Sequence, residues 1–145
     1  MAVLVDTGIL LRSFVRTEPS YVAIRRSLRD LRGTGEELVT TVQNIAEFSN
    51  VSTRPTTARG GYGYPVPKID LRIRFIERLC RRLYENEQSY EIWRRLVARH
   101  GIVGVSVHDA RLVSIMLANQ VTQILTLNDR DFRRFEPDGI VILSP

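Results

Sequence analysis

Apolar positions in this chain follow two rhythms. Short unbroken runs rich in Val, Ile and Leu alternate with longer stretches where apolar residues return every three or four positions. The first run, Ala2–Val5, ends abruptly in Asp6. It has the character of a strand buried on both faces of a parallel sheet. Ile9, Leu10 and Phe14 then carry helical spacing and predict a helix from near Gly8 to about Arg16. Glu18-Pro19-Ser20 breaks that pattern. Tyr21, Ile24, Leu28 and Leu31 restart it as an amphipathic helix over 19–32, with Arg25, Arg26, Arg29 and Arg32 on its other faces. Leu38–Val42 is a β-rich second strand. Gln43 or Asn44 opens the next helix, which runs to about Ser52 with Ile45, Phe48 and Val51 inward.

Residues 53–67 are dense in Gly and Pro and must be a loop. Ile69, Ile73 and Ile76 mark a helix over about 68–78, and a short strand is expected near 81–84. Ser89 reads as the N-cap of a helix that turns Ile92, Trp93, Leu96 and Val97 inward and stops at His100-Gly101. Val103–Val107 crosses Gly104 and reads as a lead-in loop or short turn. From Ser106 a strongly apolar helix runs to about Asn119. Gln123–Leu127 is a strand, Asn128–Phe132 a turn dense in oxygen atoms, and Ile140–Leu143 a last strand. Strands alternating with helices imply an α/β fold with a mainly parallel, doubly wound sheet.

Composition narrows this picture only slightly. At 145 residues, with 43% hydrophobic and 26% charged residues, the chain is long enough for a single domain, 1–145, with a real core. No apolar run approaches the roughly 20 residues of a membrane span, so no membrane association is expected. No signal peptide is evident, and Cys80, the one cysteine, has no disulfide partner; both favour a cytoplasmic location. Leu79 and Leu83 flank Cys80 and mark it as a packed residue, not a nucleophile. Lys68 is the only lysine among 21 basic residues, and the net charge is +5. Arg forks suit phosphate backbones, although high-GC codon usage also replaces Lys with Arg. In loop 53–67, Arg54, Arg59, Tyr62 and Tyr64 combine cationic forks with aromatic faces, a mixture suited to single-stranded RNA. Plain mobility accounts for that loop equally well.

The candidate chemistry lies in four acidic places. Asp6, Glu47, Asp109 and the Asn128–Asp131 turn all fall at strand ends or helix starts. In a doubly wound sheet such positions can converge along one edge. Taken singly, each has a plain structural explanation as a helix cap or as compensation of a helix dipole. Gathered together, carboxylates repel unless a cation sits among them. Oxygen donors without a His or Cys pair select Mg²⁺, with Mn²⁺ as a substitute. Such an ion held by acids suits phosphodiester hydrolysis. No Ser-His-Asp set, P-loop or Gly-x-Gly-x-x-Gly supports a competing mechanism. A phosphatase of the haloacid-dehalogenase type would need a second acid two residues after Asp6, where Gly8 stands.

Five stretches carry a family resemblance: Val5-Asp6-Thr7; Gln43-Asn44-Ile45-Ala46-Glu47-Phe48-Ser49-Asn50-Val51; Thr53-Arg54-Pro55; Val107-His108-Asp109-Ala110-Arg111-Leu112-Val113; and Leu125-Thr126-Leu127-Asn128-Asp129-Arg130-Asp131-Phe132. In order and spacing the chain resembles PIN-domain ribonucleases, and within them the VapC-type toxins of bacterial toxin–antitoxin pairs. The resemblance implies a PIN-like three-layer α/β/α sandwich with a mainly parallel sheet of four to five strands. It implies a Mg²⁺-dependent endoribonuclease leaving 5′-phosphate and 3′-hydroxyl ends, a homodimer, an RNA substrate and a cognate antitoxin. Asp6, Glu47 and Asp109 take the family's acidic positions, and Thr7 its small hydroxyl position. Many members read Thr-x-Asp at the fourth position, whereas this chain reads Thr126-Leu127-Asn128. The residue completing that site stays open among Asp129, Asp131 and Asn128, in that order of preference. Arg111 is an accessory candidate, and His108 an orienting or surface neighbour of Asp109. The alternative reading is a non-catalytic PIN-like RNA-binding or regulatory module, and the departure at Asn128 is what supports it.

Overall fold

Five strands form one fully parallel sheet in the computed structural model, which describes residues 1–145 throughout. In chain order the elements are β1 (Ala2–Val5), α1 (Thr7–Arg12), α2 (Tyr21–Gly33), β2 (Glu37–Thr41), α3 (Val42–Thr53), α4 (Val66–Leu79), β3 (Arg81–Leu83), α5 (Glu87–His100), α6 (Val107–Ala118), β4 (Gln123–Leu125), a short α7 (Asp129–Phe132) and β5 (Val141–Leu143). Across the sheet the order is β3-β2-β1-β4-β5. β1 therefore sits at the centre, pairing Val3 with Leu38 of β2 and Val5 with Leu125 of β4. The sheet grows one way from β1 to β2 and β3, then the other way to β4 and β5. Open α/β sheets bind ligands beyond the carboxyl ends of their strands at such a reversal.

The unbroken apolar runs follow from burial on both faces. Val3, Val5, Leu38 and Leu125 pack against Ile9, Leu10, Ile24, Phe48 and Ile76, on the side covered by α1 to α4. Leu4, Val39, Leu83 and Ile124 pack against Ile92, Leu96, Val113 and Met116, on the side covered by α5 and α6. The result is the three-layer α/β/α sandwich. Each fully buried aliphatic side chain in these layers contributes about 1.5–3 kcal/mol, and Leu4 and Ile124 are wholly excluded from solvent.

The elements fall where the hydrophobic rhythm puts them, and their ends differ for local reasons. α1 stops at Arg12, not Arg16, because the Ser13 hydroxyl donates back to the Leu10 carbonyl at 2.7 Å and the chain turns. Phe14 then tucks between Phe48 and Phe75. α5 starts at Glu87, not after Ser89. Asn86 is its N-cap, and Ser89 is the third-position partner: the Ser89 N–H donates to Asn86 Oδ1 at 2.8 Å and the Asn86 N–H to Ser89 Oγ at 2.9 Å. β4 ends at Leu125 because Thr126 turns inward and its hydroxyl accepts the Asn128 N–H at 3.0 Å. The segment between α3 and α4 is pinned, since the Tyr62 and Tyr64 N–H groups donate to the Val51 and Ser52 carbonyls. No helix is long and apolar enough to cross a membrane.

Candidate active site

The carboxyl end of β1 delivers Asp6 into the crevice beside β4. Asp6 serves two ends at once. Its extended backbone lets its side chain accept the Thr7 N–H at 2.8 Å, which caps α1, while the same carboxylate faces a cavity of about 620 Å³. Thr126, just past β4, donates its hydroxyl to Asp6 Oδ2 at 2.7 Å. Asp6 is only 7% exposed. Burial raises its proton affinity above the usual carboxylate range; the bonds from Thr126 and Thr7 oppose this, and the charges of Glu47 and Asp131 add to it.

Glu47 comes from α3, which starts immediately after β2. Thr41 caps that helix in a reciprocal box with Asn44. The box aims the Asn44 amide at the site, where it donates to Thr7 Oγ1 at 3.0 Å and reaches Asp6 Oδ1 at 3.5 Å. The Thr7 hydroxyl donates to Glu47 Oε2 at 2.8 Å, and Gln43 donates to Glu47 Oε1 at 3.1 Å. Both oxygens of Glu47 are therefore held. Gln43 also donates to the His108 carbonyl at 3.1 Å, tying α3 to the start of α6.

Asp109 lies in the first turn of α6 and lines the same cavity. Burial, then the charges of Asp131, Asp6 and Glu47, push its carboxyl up to about 6, against the pull of Arg134. No hydrogen bond holds it; its neighbours act on it through charge and burial. Asn128 lines the cavity as well.

Asp6, Glu47, Asp109 and Asn128 thus share one wall of oxygen donors, of which the two carboxyls at Asp6 and Asp109 bind protons unusually well. No three acidic or imidazole side chains close into a cage about one point. A cage is not required by the ion this donor set selects. Mg²⁺ keeps several of its waters and is commonly held by one or two carboxylates. Mutually repelling, half-desolvated carboxyls with no Cys or paired His among them are chemically suited to such a hydrated hard cation.

The family model of the PIN domain matches residues 3–136. The chain belongs to the PIN-domain family. No curated protein sequence matches it significantly. Solved structures match this PIN domain over essentially their whole length. A Rickettsia felis VapBC2 structure, bound to a DNA fragment from its promoter, superposes with a TM-score of 0.69 at 13% identity, covering 100% of this chain and 99% of that one. A Haemophilus influenzae VapBC-1 structure gives 0.67 at 16%, covering 99% and 98%. Mycobacterium tuberculosis VapC20, described as a sarcin-ricin loop cleaving toxin, gives 0.67 at 15%, covering 99% of each chain. At these identities the likeness is one of fold.

Not every candidate of the PIN domain reaches the wall. Asp129, first in order of preference, points away: its carboxylate pairs with Arg133 one helical turn on, and that cation holds it below the usual range. Asp131 is solvent-exposed, yet its charge acts on both Asp6 and Asp109. Arg111 pairs with Glu85 on the far side of Glu47 and does not neutralise the acids. Sequence reading assigned no role to Thr126, Asn44 or Gln43, each of which holds an acid or its neighbour. Gln43-Asn44 and Thr126 stood inside the matching stretches, but nothing local says which way their side chains face. Arg12, Arg54 and Tyr62 also line the cavity and bring positive charge and an aromatic ring to it.

Proposed function

We propose that this PIN domain is a metal-dependent endoribonuclease that acts as the toxin of a toxin–antitoxin pair. The observation that carries the reading is the convergence of Asp6 and Asp109, far apart along the chain, into one cavity where both carboxyls are driven toward protonation. Asp6 and Asp109 would hold Mg²⁺, with Mn²⁺ as a substitute, and Glu47 with Asn128 or Asp131 would complete the shell. Bound there, the ion supplies Lewis acidity toward water and phosphoryl oxygens.

The chain's own residues prepare that chemistry. Thr126 and the Thr7 N–H set the orientation of the Asp6 carboxyl and offset part of the cost of ionising it. Thr7 and Gln43 each donate to one oxygen of Glu47, which fixes the place of its charge and leaves a lone pair free on each oxygen. Asp109 has no hydrogen-bond partner, and burial with the neighbouring acids raises its carboxyl to about 6, so it stands ready for a cation to offset its charge. The antitoxin part of the reading is supported by the groove between α2 and α4. It has Leu28, Phe75 and Leu79 as its floor and Arg25, Arg29 and Arg32 along its sides, a surface that fits an acidic amphipathic segment. Membership of the PIN family and likeness in fold to VapC structures support the same reading.

The test is cleavage of single-stranded RNA by the purified chain in Mg²⁺ and in EDTA, alongside Asp6→Asn. Cleavage in Mg²⁺ alone, abolished in the variant with its fold intact, is expected. Equal cleavage by parent and Asp6→Asn would refute the assignment. Asn128 at the fourth position favours one other reading, a PIN-like module that binds RNA without cutting it; RNA affinity indifferent to Mg²⁺, with no cleavage, identifies that case.

A further inference from the structure

The α3–α4 connection, residues 54–65, is built as a rigid strap. Its return leg adds two backbone bonds to the end of α3, Tyr62 N–H to the Val51 carbonyl and Tyr64 N–H to Ser52 at 2.9 Å, and one to the strap's own first residue, Gly63 N–H to the Arg54 carbonyl at 2.8 Å. Gly61 crosses so close to the start of the strap that a Cβ there would overlap the carbonyl oxygens of Pro55 and Arg54. Tyr62 stacks on Tyr64 with rings 5.6 Å apart and nearly parallel, and Lys68 and Arg72 lie over Tyr64. The far end is latched. The Tyr62 hydroxyl donates to Glu18 Oε1 at 2.7 Å, which pins the strap to the turn after α1, and Glu18 is approached in turn by Arg12 at 3.8 Å.

This construction presents one side chain with a fixed aim and no anionic partner. Arg54 lines the acid cavity and is half-buried, and its Nη1 donates to the Arg59 carbonyl at 2.6 Å. No carboxylate lies within ion-pair distance of it, whereas Arg12, the other arginine lining the cavity, faces Glu18. A guanidinium oriented by a carbonyl, open on its remaining N–H edge and placed beside a bay of acids, is matched to a phosphate that continues away from those acids.

We propose that Arg54, backed by Arg12 and held by the Tyr62–Glu18 latch, is a phosphate-gripping residue that positions the RNA backbone next to the scissile linkage. The acids would act on one phosphodiester while Arg54 holds a neighbouring one and so sets the register of the cut. Arg54 is a positioning residue, since it acts on the reacting phosphate only through the strand it holds. The inference rests on the nuclease reading above for its meaning in catalysis, but not for the binding it forecasts.

The experiment measures anisotropy of a labelled oligouridine of about 12 nucleotides in EDTA over a series of salt concentrations, for the parent, Arg54→Ala, Arg54→Lys and Tyr62→Phe. Arg54→Ala should weaken binding by about tenfold at low salt and make the log–log salt slope shallower by about 0.7, the share of one phosphate on a single strand. Arg54→Lys should restore the slope. Tyr62→Phe keeps the stacked ring and should lose affinity with the slope unchanged. In Mg²⁺, Arg54→Ala should raise KM more than it lowers kcat. A strap that merely loosened would lower affinity and leave the slope untouched in Arg54→Ala, and that result overturns the proposal, as does a parent that does not bind the RNA. If the slope depends on Arg54 while the parent never cuts, the proposal stands and the nuclease reading fails. If the parent cuts RNA and its slope ignores Arg54, the reverse holds.

Discussion

Replacing Asp109 by Asn should stabilise this protein in the absence of divalent ions, by an amount that grows with pH. In the fold the Asp109 carboxyl is raised from its ordinary 3.8 to about 6. That interval of about two decades, at about 1.4 kcal/mol each, sets an upper bound of about 3 kcal/mol on what ionising Asp109 costs the folded state. The side chain is only half-buried, so solvent screening reduces this to about 1–2 kcal/mol. The sign follows from linkage. Below 3.8 the carboxyl is neutral in both folded and unfolded chains, and the cost is absent. Between 3.8 and about 6 the folded chain holds the proton more often, and stability falls as pH rises. Above about 6 the cost is fully developed. Asn keeps the shape and removes the charge, and because no hydrogen bond holds the carboxylate, none is broken.

For a chain of this size each kcal/mol moves the midpoint by about 2–4 °C. Thermal melts in EDTA should therefore show Asp109→Asn within a degree or so of the parent near pH 4 and about 2–8 °C above it near pH 7.5. Adding Mg²⁺ at pH 7.5 should raise the parent and narrow the gap, because only the parent keeps both carboxylates for the ion. A gap of equal size at both pH values, or a variant that melts below the parent at pH 7.5, would refute the reasoning.

Thr126→Val removes the donor on Asp6 Oδ2 and leaves a buried carboxylate oxygen unpaired; cleavage should fall by about 10–100-fold and melting should reveal a loss of about 1–3 kcal/mol. Asp131→Asn should slow single-turnover cleavage and shift its pH dependence to lower pH, because the charge acting on Asp6 and Asp109 is gone; Asp129→Asn, already neutralised by Arg133, should leave both unchanged. Gly61→Ala should open the strap to limited proteolysis near residues 59–61 while the sheet, read by far-UV circular dichroism, stays intact.

The layers of this fold could be read from the sequence because they depend on local rhythm. A strand such as Ala2–Val5 is apolar on both faces only if both faces are covered, and the run itself says so. Ends were harder. Ser89 is a good N-cap by type, but Asn86 claims the position and turns Ser89 into its partner, a competition between two qualified residues that composition does not decide. The site divides in the same way. Asp6, Glu47 and Asp109 stand at element ends, where topology alone brings acids together. By sequence Asp129 ranks ahead of Asp131, and its pairing with Arg133 at four-residue spacing is the available sign that it is taken. The role of Thr126 had no such sign. Its partner lies 120 positions away, and only the assembled sheet makes them neighbours.

That last bond bears on how the chain behaves while it is being made. Synthesis runs from the amino end, so Asp6 emerges well before its hydroxyl donor, which lies 120 positions later. Until β4 slides in beside β1, the crevice has one bank missing and Asp6 has neither its shelter nor its fixed orientation. The proposed nuclease would thus lack a complete site on the ribosome until β4 has joined the sheet beside β1.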